Sequence, residues 1–139
     1  MKDFCIIGSG ISGATIANAL SKKYSLDIYD KAKGVGGRSS NKKLSNNESF
    51  DHGAQYISPK SIQFKRFIKK LITKKVVKKW PGKHLFLNTD KKEDKKHIKI
   101  IGKKGNNAIS KYLLKSIHCI FDSEVIKIFY KNKVWEIYF

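Results

Sequence analysis

Three glycines, Gly8, Gly10 and Gly13, stand at G-x-G-x-x-G spacing inside the string IIGSGISGATIANAL. What glycines contribute is backbone freedom. Gly8 permits a tight turn, Gly10 lets the main chain approach a pyrophosphate, and Gly13 lets a helix lie close to a strand. The helix mouth beyond the turn, at Gly10, Ile11, Ser12 and Gly13, offers unpaired N–H groups and a partial positive charge to an anion. An acid, Asp30, closes the next apolar run, with Lys31 after it. A carboxylate there would accept hydrogen bonds from a ribose diol. A glycine triplet alone is weak evidence, and Asp30 alone could be a cap or loop acid. The order strand, glycine turn, helix, strand and acid favours a dinucleotide site over both.

A second glycine-rich turn follows at once: Lys31-Ala32-Lys33-Gly34-Val35-Gly36-Gly37-Arg38-Ser39-Ser40. The chain has only two arginines, Arg38 and Arg66, and one falls here although lysine is used almost everywhere else. A planar two-pronged donor facing phosphate is a position where arginine is not cheaply replaced by lysine. The competing reading is a flexible basic loop. A third string, Phe50-Asp51-His52-Gly53-Ala54-Gln55-Tyr56-Ile57, again sets small residues side by side, at Gly53 and Ala54.

The elements that must position these residues can be read from periodicity. Asp3–Ile7 reads as a fully buried strand. Ile11–Lys23 has apolar residues at helical spacing and ends in lysines, which suit a helix C-terminus. Ser25–Tyr29 reads as the second strand, completing a βαβ unit. Residues 31–47 read as a loop, and Asp51–Ile57 as a short turn and strand. Ser61–Thr73 carries an apolar stripe (Ile62, Phe64, Phe67, Ile68, Leu71, Ile72) and reads as a helix. Val76–Trp80 and His84–Leu87 suggest a hairpin around Pro81-Gly82, followed by a charged loop over Asn88–Lys96 and a strand over His97–Ile101. Asn106–Ser116 reads as a helix. Ile117–Phe121, Glu124–Tyr130 and Val134–Phe139 read as short strands. The expected fold class is α/β, a Rossmann-type parallel sheet of the FAD/NAD(P)-binding kind. The last string, VWEIYF, still reads as sheet interior, which leads to the expectation of a truncated or split chain.

These strings together resemble the renalase-like branch of the FAD-dependent amine oxidase superfamily. The resemblance is carried by the first glycine turn with Asp30, by Gly36-Gly37-Arg38, by Asp51-x-Gly53-Ala54 followed by Gln55 and Tyr56, and by Gly105-Asn-Asn-Ala with Trp135-Glu136 downstream. It implies FAD as cofactor. Gly36, Gly37, Arg38 and Ser39 would then lie along the pyrophosphate and ribityl chain, with Arg38 as counter-charge. Gly53, Ala54, Gln55 and Tyr56 would lie against the flavin ring. The backbone of Val125 would meet adenine, although a core valine is an equal reading from the residues alone. The implied organisation is an FAD-binding unit over 1–57, the start of an inserted α+β substrate domain over 58–101, and a return to the nucleotide-binding domain over 102–139.

The resemblance further implies a small-molecule substrate, either a dihydronicotinamide nucleotide isomer or an amine. Electrons would pass to FAD and then to oxygen, giving hydrogen peroxide. Members of that superfamily are more than twice as long. The resemblance therefore also implies a missing C-terminal half, with two readings open: a separately encoded second half, or an inactive remnant that keeps only the fold.

Composition sets the outer bounds. The chain has 139 residues, 40% of them hydrophobic, which is enough for a packed core. The formal net charge is +19, from 30 Lys+Arg against 11 Asp+Glu. Such a charge raises nucleic acid or an anionic membrane surface as partners. Scattered lysine with scarce arginine, in a chain rich in Asn and Ile, instead favours drift in composition over a dedicated nucleic-acid surface. Cys5 and Cys119 sit in apolar runs without metal-ligand or CxxC spacing and read as two buried thiols. His52 falls in the third string, where an exposed or structural histidine is as good a reading as a flavin-facing one. His84, His97 and His118 have no ligand spacing. No catalytic or metal-binding residue is assigned. The N-terminal apolar stretch is broken by glycines unlike a signal peptide, and no run reaches the roughly 18 apolar residues of a membrane span. A cytoplasmic protein is expected.

Overall fold

A computed structural model describes residues 1–46, 48–82 and 98–139. The chain opens with strand β1 (Phe4–Ile7), helix α1 (Ile11–Leu20) and strand β2 (Leu26–Tyr29). A 3₁₀ turn over Gly37–Ser39 leads to a small antiparallel pair, β3 (Asn41–Lys43) and β4 (Ser49–Asp51). Helix α2 (Ile62–Thr73) follows, then β5 (Val77–Lys79), β6 (Ile100–Gly102), helix α3 (Ala108–Leu113) and strand β7 (Cys119–Ile120). The hairpin β8 (Lys127–Lys131) and β9 (Val134–Tyr138) ends the chain.

The organising element is a three-stranded sheet in the order β1-β2-β7. β2 runs parallel to both neighbours, with Phe4 opposite Leu26, Ile7 opposite Tyr29, and Ile28 opposite Cys119. Parallel strands require a crossover, and α1 supplies it between β1 and β2. This is the Rossmann-type α/β sheet. Leu26 and Ile28 of β2 are buried with Ala14 and Ala17 of α1 and Ile109, Leu113 and Leu114 around α3. Alanines at the α1 contact leave room for close approach. At Gly13 the room is tighter still, because a Cβ there would overlap the Gly8 carbonyl oxygen and crowd the Ile6 side chain.

The opposite sheet face is different. Cys5 and Ile7 of β1 share register with Asp27 and Tyr29 of β2. With the hairpin residues Ile128, Trp135 and Ile137 they line an open groove of about 710 Å³. Tyr29 meets Phe139 there at 4.7 Å between ring centroids. The expectation that β1 is fully buried is therefore corrected. Phe4 is 40% and Ile7 56% exposed. β1 is an edge strand, and its hairpin-facing residues open on the groove. For the same reason Cys5 is exposed instead of buried; Cys119, beside the core on the short strand β7, is only half-buried, and both thiols are free. Burial still pushes each thiol above its ordinary value, with Asp27 adding to the effect on Cys5 and Asp30 on Cys119.

Two pairings were not foreseen. β5 pairs antiparallel with β6, Val77 opposite Gly102 and Lys79 opposite Ile100, where a local hairpin partner at His84–Leu87 was expected. His84–Leu87, the loop Asn88–Lys96 and His97 lie outside the described residues. Ile57 bridges Ile100 on β6, so the string after Gly53 is held by a strand far along the chain. The third helix is shorter than expected, Ala108–Leu113 rather than Asn106–Ser116. Asn106 and Asn107 precede it and make other bonds. The hairpin turns at Asn132 and Lys133, both with positive φ (52° and 64°), the two-residue geometry that matches strand twist.

Candidate functional site

At the C-terminal ends of β1 and β2 the two glycine turns meet. Gly10 bridges Gly36, and the Gly36 N–H donates to the Ser9 carbonyl at 3.3 Å. Gly36 has φ 135°, which only glycine adopts readily. A Cβ there would also come within 2.9 Å of the Asn107 Cβ. Gly10 is the N-cap of α1, no side chain caps this helix, and no acid lies in its first turn. The first-turn amides around Ile11, Ser12 and Gly13 are thus left without a protein acceptor from a cap, the condition for anion binding at a helix mouth.

Asp30 follows β2, whose end is fixed by Gly8 N–H donating to Tyr29 O (2.7 Å) and Asp30 N–H donating to Ile120 O (2.9 Å). Its carboxylate is held from within. Ser9 donates to Oδ2 through both its backbone N–H (2.7 Å) and its hydroxyl (2.5 Å), and the Ala32 N–H donates to Oδ1 (2.9 Å). Burial alone would raise this carboxyl. The Ser9 hydroxyl, the Ala32 and Ser9 amides and the Lys31 charge outweigh it and hold the group below its ordinary value. The segment carrying Val125 crosses the same end of the sheet, with Ser123 N–H donating to Asp30 O (3.1 Å) and Asp122 N–H to Ala32 O (3.3 Å). Lys31 pairs with Glu124 at 3.3 Å, an exposed contact of small energetic weight. Val125 itself is half-buried.

The second turn is built for closeness. Ser39 is buried, and its hydroxyl donates to Gly36 O (2.8 Å). The side chain of Arg38 is exposed, and its carbonyl accepts from Ala54 N–H (2.7 Å). Any Cβ on Gly53 would overlap that Arg38 carbonyl, so Gly53 lets the third string lie directly on the second turn. Gly53, Ala54, Gln55 and Tyr56 all present exposed surface. The Tyr56 ring lies 5.8 Å from Trp80 and carries the Lys99 ammonium 4.8 Å above it. His52 accepts or donates a 3.0 Å bond with the Ser40 hydroxyl, according to its tautomer.

All three glycine-containing strings thus converge. What the sequence did not reveal is how they are held. Asn106, fully buried, donates through Nδ2 to Ala54 O (2.7 Å) and Gln55 O (3.0 Å). Its Oδ1 accepts from Gly102 N–H (2.8 Å), and its own N–H donates to Asp51 Oδ1 (2.8 Å). Asn41 donates to the same Asp51 oxygen at 3.0 Å. Asn107 donates to Val35 O at 3.3 Å, while Asn107 Oδ1 and Ser110 Oγ are buried without a protein partner. The only hint of this in the sequence was a pair of asparagines after Gly105. Ser9 gave none beyond standing between two glycines.

Among the described residues no three His, Cys, Asp or Glu side chains gather to hold a metal. No helix there is long and apolar enough to cross a membrane.

Residues 6–71 match the family described as NAD(P)-binding Rossmann-like domain. Among solved structures, the chain is similar to a putrescine oxidase double mutant from a redesign of cofactor binding. The identity is 26%, covering 60% of this chain and 18% of that one, with a TM-score of 0.46. Wild-type putrescine oxidase bound to putrescine matches at 26% identity over 57% of this chain and 17% of its own, with a TM-score of 0.43. The chain spans less than a fifth of the length of these structures.

Proposed function

We propose that this chain holds FAD as part of an oxidoreductase of the renalase-like kind, acting on a reduced nicotinamide nucleotide isomer or an amine. The observation that carries the reading is the contact of the two glycine turns at the uncapped mouth of α1, with Asp30 fixed beside it. A diphosphate fits there because the amides of the first turn have no competing side-chain acceptor and because Arg38 adds an exposed cation. An adenosine ribose fits against Asp30, whose ionised carboxylate accepts and does not donate. The exposed edge Gly53–Tyr56 suits a flat ring, since the backbone there already presses against Arg38 with no side chain between. FAD, when bound, would supply hydride acceptance and electron transfer to oxygen. The residues of this chain bind and orient.

Under this reading Ile11, Ser12 and Gly13 face the diphosphate, and Gly36, Gly37, Arg38 and Ser39 line its far side. Lys31 and Val125 flank the adenosine. A cytoplasmic location and a domain division at 57 and 101 belong to the same proposal. The groove between β1 and the β8–β9 hairpin, with Ile7 and Trp135 exposed in it, favours a further element of the reading: a separately encoded half that covers this face and completes the substrate pocket.

The test is titration of the purified protein with FAD and with NADP, followed by flavin fluorescence and calorimetry. FAD is expected to bind and NADP not to. Replacing Asp30 with Ala is expected to weaken FAD binding by roughly 10- to 100-fold, the worth of a charge-assisted hydrogen bond. Binding of NADP in preference to FAD, or FAD affinity unchanged by Asp30→Ala, would overturn the proposal.

A further inference from the structure

We propose that Ser9 is a positioning residue that limits Asp30 to one outside partner, so that the site grips the adenosine ribose by one hydroxyl and not by both. The inference deepens the dinucleotide reading above and rests on it. An ionised carboxylate offers about four acceptor positions on two oxygens. The Ser9 N–H and hydroxyl both reach Oδ2, at 2.7 and 2.5 Å, and so occupy it. The Ala32 N–H takes one position on Oδ1 at 2.9 Å. A single position on Oδ1 is left for a ligand. Ser9 is itself wholly buried, with 0% exposure, so it acts only through Asp30. Its backbone N–H would remain after loss of the hydroxyl, but one position on Oδ2 would reopen. A vicinal diol could then span both carboxylate oxygens.

ADP and its deoxy analogues separate the ribose from the flavin. The purified chain and its Ser9→Ala variant are titrated by calorimetry with ADP, 2′-deoxy-ADP and 3′-deoxy-ADP. In the unsubstituted protein one deoxy analogue is expected to bind like ADP, and the other about tenfold more weakly, the loss of one hydrogen bond to a charged group. In Ser9→Ala both analogues are expected to bind about tenfold more weakly than ADP, since each then lacks one of two used hydroxyls. A general loosening of the fold would weaken all three ligands alike and would not change this pattern.

Equal behaviour of the two analogues in the unsubstituted protein, both weakened or both retained, overturns the inference. So does a Ser9→Ala pattern identical to that of the parent. Absence of ADP binding in the parent overturns the dinucleotide reading, and this inference with it. Ser9→Gly removes the same hydroxyl should Ser9→Ala fail to fold. The comparison of analogues on the parent needs no substitution at all.

Discussion

The glycine corner and the C-terminal hairpin are held by opposite means. In the corner, small residues bring backbones together, and buried polar groups from distant positions tie them: Ser9 to Asp30, and Asn106 to Ala54, Gln55 and Gly102. In the hairpin, aromatic residues pair across the two strands, Tyr130 with Trp135 at 5.1 Å and Phe129 with Tyr138 at 5.8 Å. Most of that surface stays open, with Trp135 60% and Tyr130 62% exposed. The corner spends fold energy on a fixed polar shape with little apolar burial. The hairpin carries apolar surface and leaves it largely uncovered. A corner tied by polar side chains thus stands in the same chain as an apolar hairpin that is mostly exposed.

Substitutions should separate the two regions by size of effect. The largest is expected for Gly13→Leu. Its side chain would have to displace the Gly8 carbonyl and Ile6, at about 3 kcal/mol or more of stability, and FAD binding should vanish with it. Urea unfolding and flavin fluorescence measure the two losses. Asn106→Ala comes next. It strands the buried Gly102 N–H and takes a donor from the carbonyls of the exposed Ala54 and Gln55, at about 1–3 kcal/mol. A urea midpoint unchanged in Asn106→Ala would show that the network is not what holds the corner.

The pH response should be milder. Asp30 lies below its ordinary value in the folded chain. Its contribution is therefore complete above roughly pH 4, the unfolded carboxylate range, and is lost as pH falls through the lower folded value. Asp30→Asn should flatten that acid limb in a thermal-melt series, and an unaltered limb would assign it to other carboxylates. The smallest effect is expected for Trp135→Ser, within about 0.5 kcal/mol, because the ring is mostly in water already. Its sign of success is a rise in solubility. A loss of several kcal/mol would mean that the hairpin is a structural support of the sheet and not a surface awaiting a cover.

The corner was legible because glycine spacing encodes backbone geometry directly. A turn at which two backbones must meet, and a helix that must press on a strand, leave their mark in residue type. The βαβ unit emerged with its strands and helix in the expected places, the helix ending at Leu20 instead of Lys23. Burial of β1 was not legible, because an apolar run is the same whether or not something lies over it, and one side of Phe4–Ile7 is open. The partner of β5 was not legible either. Val77 pairs with Gly102, and nothing in a string of lysines and aliphatics specifies so distant a strand. Asn106 and Ser9 are polar residues whose importance lies wholly in what they touch, and contact is not written in spacing.

Asn106 reaches back 52 positions to the Ala54 carbonyl and 55 to the Asp51 carboxylate. As the polypeptide leaves the ribosome, Asp51–Ile57 can therefore make only its nearby bonds, Asn41 to Asp51 and Ala54 to Arg38, until Gly102–Asn107 has emerged and can clasp it. Synthesis from the N-terminus would yield the two glycine turns early and the fully tied third string only late. During that interval chaperones and proteases would meet a half-tied corner.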